Sequence, residues 1–261
     1  MCHGGQGSST ARHPAVSETG VDQASRDRLY ARYVSTHGQD PPREGTEAWI
    51  QRYVIRRLPS SLEAKILDAG CGAGEVVESV RAKGYRHVGG IDISSEQVAR
   101  ARKRGIGGIE LGDLRAHLQS NEATYDVITA FDVLEHFEPA EVLTVLDLVA
   151  AALRPGGMFL ARVPNGCSPF MGRYRYGDFT HGTAFTDRSL RQLLRTAGLG
   201  EVRFLPVTPV PHGAVSSIRF AIWQVIAALL KFSLAVETGI VRGHLVTQNI
   251  MVMARRPSAR S

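Results

Sequence analysis

The sequence predicts an α/β fold built on a doubly wound, mostly parallel sheet. Three observations carry this expectation. An apolar run, Lys65–Ala69, ends in glycines at three alternate positions, Gly70, Gly72 and Gly74. Two later apolar runs end in acids, at Asp92 and just past Leu111 at Asp113. Beyond Asp113, strand-like and helix-like segments alternate, the rhythm that puts helices on both faces of a parallel sheet. In such a sheet the ligand lies at the carboxyl ends of the strands, where the glycine loop and the acids fall.

In chain order, residues 1–24 are rich in Gly, Ser, Thr and charge, with little to bury, and are expected to be disordered. The folded domain is expected over 25–261. Residues 26–58 hold more Tyr, Trp and Ile and are expected to form a helical cap beside the ligand mouth. The first strand, its glycine loop and a helix opening at Glu75 come next, then a second strand over His87–Asp92 and a third ending near Leu111. Tyr125–Phe131 reads as a buried strand, 139–153 as an amphipathic helix, Arg154-Pro155-Gly156-Gly157 as a turn and 158–163 as another strand. The last two strands are expected at 201–206 and 246–254. Between them, 208–245 is a helical insertion whose middle, 218–236, is an apolar helix. Ile218, Ile222, Ile226 and Leu229 make one stripe on it, and Phe220, Trp223, Ala227, Leu230 and Leu234 a second. A helix so apolar needs cover. Its own domain, a homodimer partner and a membrane surface are the options, the last with Trp223 and Phe220 inserted and Arg219, Lys231 and Arg242 at the headgroups. Its charge-free runs are too short for a membrane span.

The glycine spacing separates this loop from a dinucleotide site. A dinucleotide loop runs G-x-G-x-x-G and cradles a pyrophosphate on the next helix N-terminus. Here the third glycine comes one residue early and Glu75 stands where the dinucleotide pattern has glycine. An acid there repels phosphate, and Asp68 adds a second negative charge. The loop therefore suits a ligand with a positive or neutral middle and an amine, a description that S-adenosylmethionine meets. Asp92 lies where an α/β fold places an acid to grip ribose hydroxyls. Asp113 suits an exocyclic adenine amine, with Leu114 packed on the ring, although either acid alone equally reads as a strand-end residue or helix cap.

The chain resembles class I S-adenosylmethionine-dependent methyltransferases over roughly residues 65–204. The matching segments are Leu67-Asp68-Ala69-Gly70-Cys71-Gly72-Ala73-Gly74, Gly90-Ile91-Asp92, Gly112-Asp113-Leu114, the stretch from Tyr125 through Phe131 to His136, Leu153-Arg154-Pro155-Gly156-Gly157, and Phe185-Thr186 onward. The resemblance implies a Rossmann-like, seven-stranded sheet closed by a C-terminal antiparallel hairpin, here carrying the helical insertion. It implies that Asp68, Gly70, Gly72, Gly74, Asp92, Ile93, Asp113, Leu114 and Phe131 hold the cofactor, the glycines lining its methionine part. A weaker resemblance of Arg175-Tyr176-Gly177-Asp178-Phe179-Thr180-His181, Glu237-Thr238-Gly239 and Thr247-Gln248-Asn249 is to methyltransferases of polysaccharide biosynthesis.

Methyl transfer needs an aligned nucleophile and often a base. His136 is a candidate base after the fourth strand. Asp132, Glu135 and His136 equally read as oxygen and imidazole ligands for a divalent metal, or as scaffold. No metal is expected. The stretch 164–186 is expected to be an acceptor lid. In it His181, with Asp178 near, is the favoured base, or else orders the loop through a backbone hydrogen bond. Arg173 and Arg175 are expected to clamp a phosphate or carboxylate, and Tyr174 and Tyr176 to stack on a sugar or ring.

The net charge of +6 is scattered in short groups and gives no nucleic-acid face, though it suits an anionic small acceptor. A nucleic-acid amino-methyltransferase would carry an Asn/Asp-Pro-Pro-aromatic tetrapeptide where Phe131-Asp132-Val133-Leu134 stands, and neither Cys71 nor Cys167 sits as a cytosine C5 nucleophile. The three cysteines, at 2, 71 and 167, make no disulfide framework, and no signal peptide opens the chain, so a cytoplasmic protein is expected. The expected activity is O-methylation of a sugar-containing or secondary metabolite. The alternatives are a quinone-type or lipid-linked acceptor and a non-catalytic cofactor-binding scaffold.

Overall fold

The computed structural model describes residues 23–37 and 45–258. Of the expected disordered tail over 1–24, residues 1–22 lie outside the described residues, and the last two, 23 and 24, open a helix instead. The N-terminal segment folds as α1 (Gln23–Ala31), α2 (Tyr33–His37) and α3 (Thr46–Tyr53), followed by a 3-10 turn at Ile55–Arg57. Alternation then begins: β1 (Lys65–Ala69), α4 (Glu75–Arg81), β2 (His87–Asp92), α5 (Ser95–Lys103), β3 (Ile109–Leu111), α6 (Leu114–Gln119) and β4 (Tyr125–Phe131). After a 3-10 turn at Leu134–His136 come α7 (Pro139–Ala152), β5 (Leu153–Pro164), α8 (Gly172–Arg175), α9 (Asp187–Thr196), β6 (Gly200–Pro206), α10 (Ala214–Thr238) and β7 (Asn249–Arg255).

The seven strands form one sheet in the order β3-β2-β1-β4-β5-β7-β6. The first five pair in parallel, and β7 runs antiparallel between β5 and β6. The order reverses between β1 and β4, the place where such sheets open a crevice for a ligand. The central strands are apolar on both sides because both faces are covered. Ile128, Phe159, Leu146, Val149, Leu190 and Leu194 pack one face, and Ile66, Val77, Val80, Val98, Leu160 and Ile50 the other.

Two strand boundaries differ from expectation for a local reason. The Arg154-Pro155-Gly156-Gly157 turn lies inside β5, because Tyr125 pairs with Leu153 and Val127 with Met158. The turn residues are therefore looped out as a bulge within one continuous strand, with Gly156 at φ +80°. β7 begins at Asn249, three residues later than expected, because Asn165 Nδ2 donates to the carbonyls of Leu245 and Thr247 and holds that stretch as a loop.

The insertion corrects one expectation. Its own domain does not cover α10. Only Ser216 and Ala227 are buried along its 25 residues, and Phe220, Trp223, Leu230 and Leu234 are half-buried. The second stripe faces the domain, with the Trp223 ring 6.4 Å from that of Phe170, so Trp223 and Phe220 are not the residues presented outward. The first stripe is open. By length and composition alone α10 suffices to cross a membrane, with a mean hydropathy of 1.6. Lys231 interrupts its apolar run, and the side that carries Phe220, Trp223, Leu230 and Leu234 is half-buried.

Candidate active site

Two cavities open at the carboxyl ends of the strands and share a wall of Gly70, Gly72, Phe131 and Asp132. The smaller, about 280 Å³, is lined by Asp92, Ile93, Gln97, Asp113, Leu114 and His136, with Tyr30 and Tyr33 from α1 and α2 over it. The larger, about 560 Å³, is lined by Trp49, Asp68, Glu75, Arg162, Tyr174 and His212, among others.

β2 delivers Asp92 to the smaller cavity. Its Oδ2 accepts the Gly72 N–H at 2.8 Å and its Oδ1 the Ser94 N–H at 2.8 Å. Each oxygen keeps a lone pair for a ribose hydroxyl. Burial pushes the Asp92 carboxyl above its usual range, against these two bonds. Asp113 is the N-cap of α6, accepting the N–H groups of Arg115 and Ala116 on Oδ1 at 2.8 and 3.1 Å and the Arg115 guanidinium on Oδ2 at 3.3 Å. Burial raises its pKa, but these partners outweigh it and hold the group below its usual value. It is thus a cap and a lining residue at once. Ile93, Leu114 and Phe131 line the same cavity.

β1 delivers Asp68 to the larger cavity, fully enclosed, with the Thr129 hydroxyl donating to its Oδ1 at 2.6 Å. Burial, and to a lesser degree the charges of Asp92 and Glu75, raise it to about 7. Gly70 and Gly72 line both cavities. Gly74 lines neither, a correction to the role the resemblance gave it. It caps α4 at φ +85°, and a Cβ there would stand 2.5 Å from Ile109 Cδ1. It is glycine for backbone shape and close packing rather than for a ligand.

The lid residues divide. Tyr174 lines the larger cavity. Arg175 is not open to clamp an anion, because its guanidinium donates to the carbonyls of His181 and Gly182, the latter at 2.7 Å. Arg173 and Tyr176 are exposed and line neither cavity, so the expected four-residue acceptor clamp is not assembled.

Asp178, Thr180, His136 and His181 form one connected cluster. Asp178 Oδ2 accepts the Tyr33 hydroxyl at 2.7 Å, and Oδ1 accepts the Thr180 hydroxyl at 2.6 Å. Thr180 has a single hydroxyl hydrogen and spends it on Asp178, so the 2.7 Å contact with His136 Nδ1 requires His136 to donate. His181 Nδ1 likewise donates to the Tyr174 carbonyl at 2.7 Å. Both rings are thereby assigned as Nδ1–H tautomers, 4.6 Å apart between centroids. Burial, then the neighbouring His181, lowers His136 to about 4, so it is neutral at pH 7. Tyr33 and Tyr30 are raised by burial, Tyr30 to about 12. The cluster ties the lid to α1 and α2 above the smaller cavity. It does not bring His136, Asp178 or His181 into the larger one.

A ligand atom from each of His136, Asp178 and His181 lies within 4.8 Å of the others, the one such group among the described residues. Asp132, Glu135 and His136 do not converge. Asp132 sits at φ +58°, a strained conformation for a non-glycine residue, and its carboxylate is taken by the Arg162 guanidinium, with Nε to Oδ1 at 2.8 Å.

The comparisons with known proteins agree with this fold. A family model described as a methyltransferase domain matches residues 25–202. The chain belongs to this methyltransferase family. The ubiquinone biosynthesis O-methyltransferase of Yersinia pestis (strain Pestoides F) is 30% identical over 154 residues, 57% of this chain and 61% of the relative. The chain thus spans about three fifths of the length of such curated relatives. A SAM-dependent methyltransferase from Archaeoglobus fulgidus superposes with a TM-score of 0.62 at 20% identity, covering 90% of this chain and 100% of that one. The Haemonchus contortus phosphoethanolamine N-methyltransferase 2, in complex with phosphomonomethylethanolamine and S-adenosylhomocysteine, gives 0.58 at 17% identity, covering 90% and 59%.

The chain carries a methyltransferase domain, in the fold of solved S-adenosylmethionine-dependent methyltransferases. Its donor set suits that cofactor: acids rather than phosphate-binding amides, apolar Ile93 and Leu114, and a buried Gln97 Oε1 with no partner in the smaller cavity's lining. The methyltransferase also carries site residues that the sequence reading passed over. Trp49 and Asn249 line the larger cavity and each holds a buried polar atom without a partner, Nε1 and Oδ1 respectively. His212 is the one histidine lining that cavity, and its Nδ1 donates to the Val210 carbonyl at 2.8 Å, leaving Nε2 with a lone pair. Nothing local marks His212. It reaches the site only because the chain between β6 and α10 passes over α3, where Gly45 meets the imidazole.

Proposed function

We propose that the methyltransferase transfers a methyl group to a hydroxyl of a small sugar-containing or secondary metabolite seated in the larger cavity. The observation that carries this is the shared wall. The smaller cavity has the acids for an adenosine, and the larger opens beyond Gly70 and Gly72 with room for a second molecule. S-adenosylmethionine supplies an electrophilic methyl group on a sulfonium. Asp92 holds ribose hydroxyls, and Asp68 and Glu75 favour the cationic end. Trp49, Phe131 and Tyr174 wall the acceptor with rings. Trp49 Nε1 and Asn249 Oδ1 offer a donor and an acceptor to hydroxyl groups, since a buried polar atom without a partner is costly. His212 Nε2 takes the proton that the hydroxyl loses, with Nδ1 held by Val210. His136 and His181 keep the lid and the cap together. The cytoplasm is the proposed compartment, on the grounds of cysteine usage.

Isothermal titration with S-adenosylmethionine and S-adenosylhomocysteine tests the cofactor half. Micromolar binding that Asp92→Ala abolishes is expected, and no binding to either ligand refutes the reading. Transfer of labelled methyl to nucleotide-linked sugars and to catechols then tests the acceptor. Loss of transfer in His212→Asn with cofactor binding intact is expected. The name of the Yersinia relative favours a second reading, a quinone-type phenol, and transfer to catechols alone would select it.

A further inference from the structure

The lid does not assemble an anion clamp, but β5 brings a partly open guanidinium to the larger cavity. Arg162 lies near the end of β5, and the Asp132 N–H donates to its carbonyl at 3.0 Å. Asp132, at φ +58°, turns its carboxylate onto the edge of the guanidinium formed by Nε and Nη2, with Nε to Oδ1 at 2.8 Å. A non-glycine residue keeps such a conformation only where its surroundings fix it, and functional sites are where these residues gather. One face of the guanidinium is taken by Trp49, whose ring centroid is 4.4 Å from Cζ. One edge and one face are thus occupied. Nη1 has no protein partner and is not enclosed, and Arg162 lines the larger cavity. Nη1 and the second Nη2 hydrogen therefore form a flat two-donor fork left for a ligand.

The polar groups around this fork differ in how far they are committed. Asp132 is taken by Arg162, Glu75 Oε1 by Arg104 Nη1 at 2.7 Å, and Asp68 by the Thr129 hydroxyl on the cofactor's side. These are the carboxylates that line the larger cavity. Its donors are less engaged. Trp49 Nε1 is buried without a partner, and Arg219, which also lines the cavity, has no ion pair among the described residues. We infer that the larger cavity seats a carboxylate of the acceptor on the Arg162 fork, which makes Arg162 a specificity-determining residue. The inference rests on the reading of that cavity as the acceptor's. Two parallel N–H groups match the two oxygens of a carboxylate, which a lysine could not do. Charge selects a carboxylate over a phosphate. Arg162 cancels Asp132 and Arg104 cancels Glu75, so Arg219 is the one cation left for the acceptor, and a monoanion balances it. The acidic acceptor expected from the net charge is thus received on β5, not by Arg173 and Arg175 of the lid.

The test uses the full chain and needs no knowledge of the acceptor. Trp49 and Trp223 are the chain's two tryptophans, so a Trp223→Phe background leaves Trp49 as a fluorescent reporter beside the fork. Cyclohexanecarboxylate, titrated at constant ionic strength with and without S-adenosylhomocysteine, is expected to change its emission saturably, with a Kd of about 1 mM. Cyclohexanemethanol, of similar shape without the charge, and inorganic phosphate should each bind at least about tenfold more weakly. Arg162→Lys keeps a cation beside Asp132 but loses the fork, and should weaken the carboxylate about tenfold. Arg219→Gln, at an exposed position, should weaken it about threefold. Neither residue lines the smaller cavity, so calorimetry should find S-adenosylhomocysteine affinity unchanged in both, which also shows the fold intact. No saturable response to cyclohexanecarboxylate overturns the inference. So does an equal response to cyclohexanemethanol, tighter binding of phosphate, or undiminished carboxylate affinity in Arg162→Lys. A protein that binds the carboxylate through Arg162 but never S-adenosylhomocysteine upholds the seat and refutes the methyltransferase reading alone.

Discussion

Asp68 makes the cofactor site pH-dependent in a direction that can be worked out. Enclosed beneath the glycine loop and facing the charges of Asp92 and Glu75, its carboxyl is raised to about 7, with the Thr129 hydroxyl as its stabilising partner. A raised carboxyl is protonated below that value and ionised above it. The cofactor brings a sulfonium and an ammonium, so the ionised form binds it better. If only the ionised form binds, the apparent Kd carries the factor 1 + 10^(7−pH), and affinity tightens about eightfold from pH 6 to pH 7.5. At pH 7, about half a proton leaves the protein for each cofactor bound. Isothermal titration in buffers of different ionisation enthalpy reads both quantities. Asp68→Asn should bind more weakly, lose most of the pH slope and release no such proton. The assay needs no acceptor. Flat affinity over this range, or an equal slope in Asp68→Asn, refutes the assignment of Asp68 to the cationic end of the cofactor.

Three other outcomes are expected. Asp92→Ala removes the acceptor for two ribose hydroxyls, about 3 kcal/mol at charge-assisted strength, and should weaken S-adenosylhomocysteine binding roughly 100-fold by calorimetry. A loss under fivefold would place the ribose elsewhere. Thr180→Val leaves the His136 Nδ1–H and one Asp178 lone pair short of a partner, so the melting temperature at pH 7 should fall by about 4–8 °C, for a cost of about 2 kcal/mol. An unchanged melting temperature refutes the network. His136, lowered to about 4 from an ordinary 6.5, binds fewer protons in the fold than in the unfolded chain between those values. Its contribution is therefore complete above pH 6.5 and is lost as pH falls toward 4, by up to about 3 kcal/mol. Denaturant titrations at pH 7 and pH 4.5 should show a smaller acid loss in His136→Asn than in the wild type.

The lining of the smaller cavity was legible because its signals are local. Glycine spacing, an acid at a strand end and a helix cap are each set within a few residues, so Gly70, Gly72, Asp92 and Leu114 fall where their neighbours place them. Even there, spacing could not tell a glycine that faces a ligand from one that packs, and Gly74 turned out to lie against Ile109. The lid was less legible because its polar residues bond to one another across several positions. Arg175 looks like an anion clamp in sequence and is spent on the carbonyls of His181 and Gly182. The larger cavity was hardest. Trp49, His212 and Asn249 come from α3, the insertion and β7, and long-range folding alone gathers them. Periodicity found both apolar stripes of α10, but only the packing shows which one the domain keeps.

The sheet's antiparallel edge has a consequence for how such a protein can change. β6 and β7 are bonded to each other and β7 to β5, so their ladders close without help from the chain that joins them. The family match stops at 202, within β6, before that connection begins. The connection carries His212, Arg219 and the whole of α10, yet none of the glycine loop or strand-end acids. Replacing it would redraw the acceptor's surroundings and the outward face together while the cofactor machinery stayed in place. On the proposed reading, the base His212 and the outward face of α10 are thus inherited on one exchangeable segment, separate from the residues that line the smaller cavity.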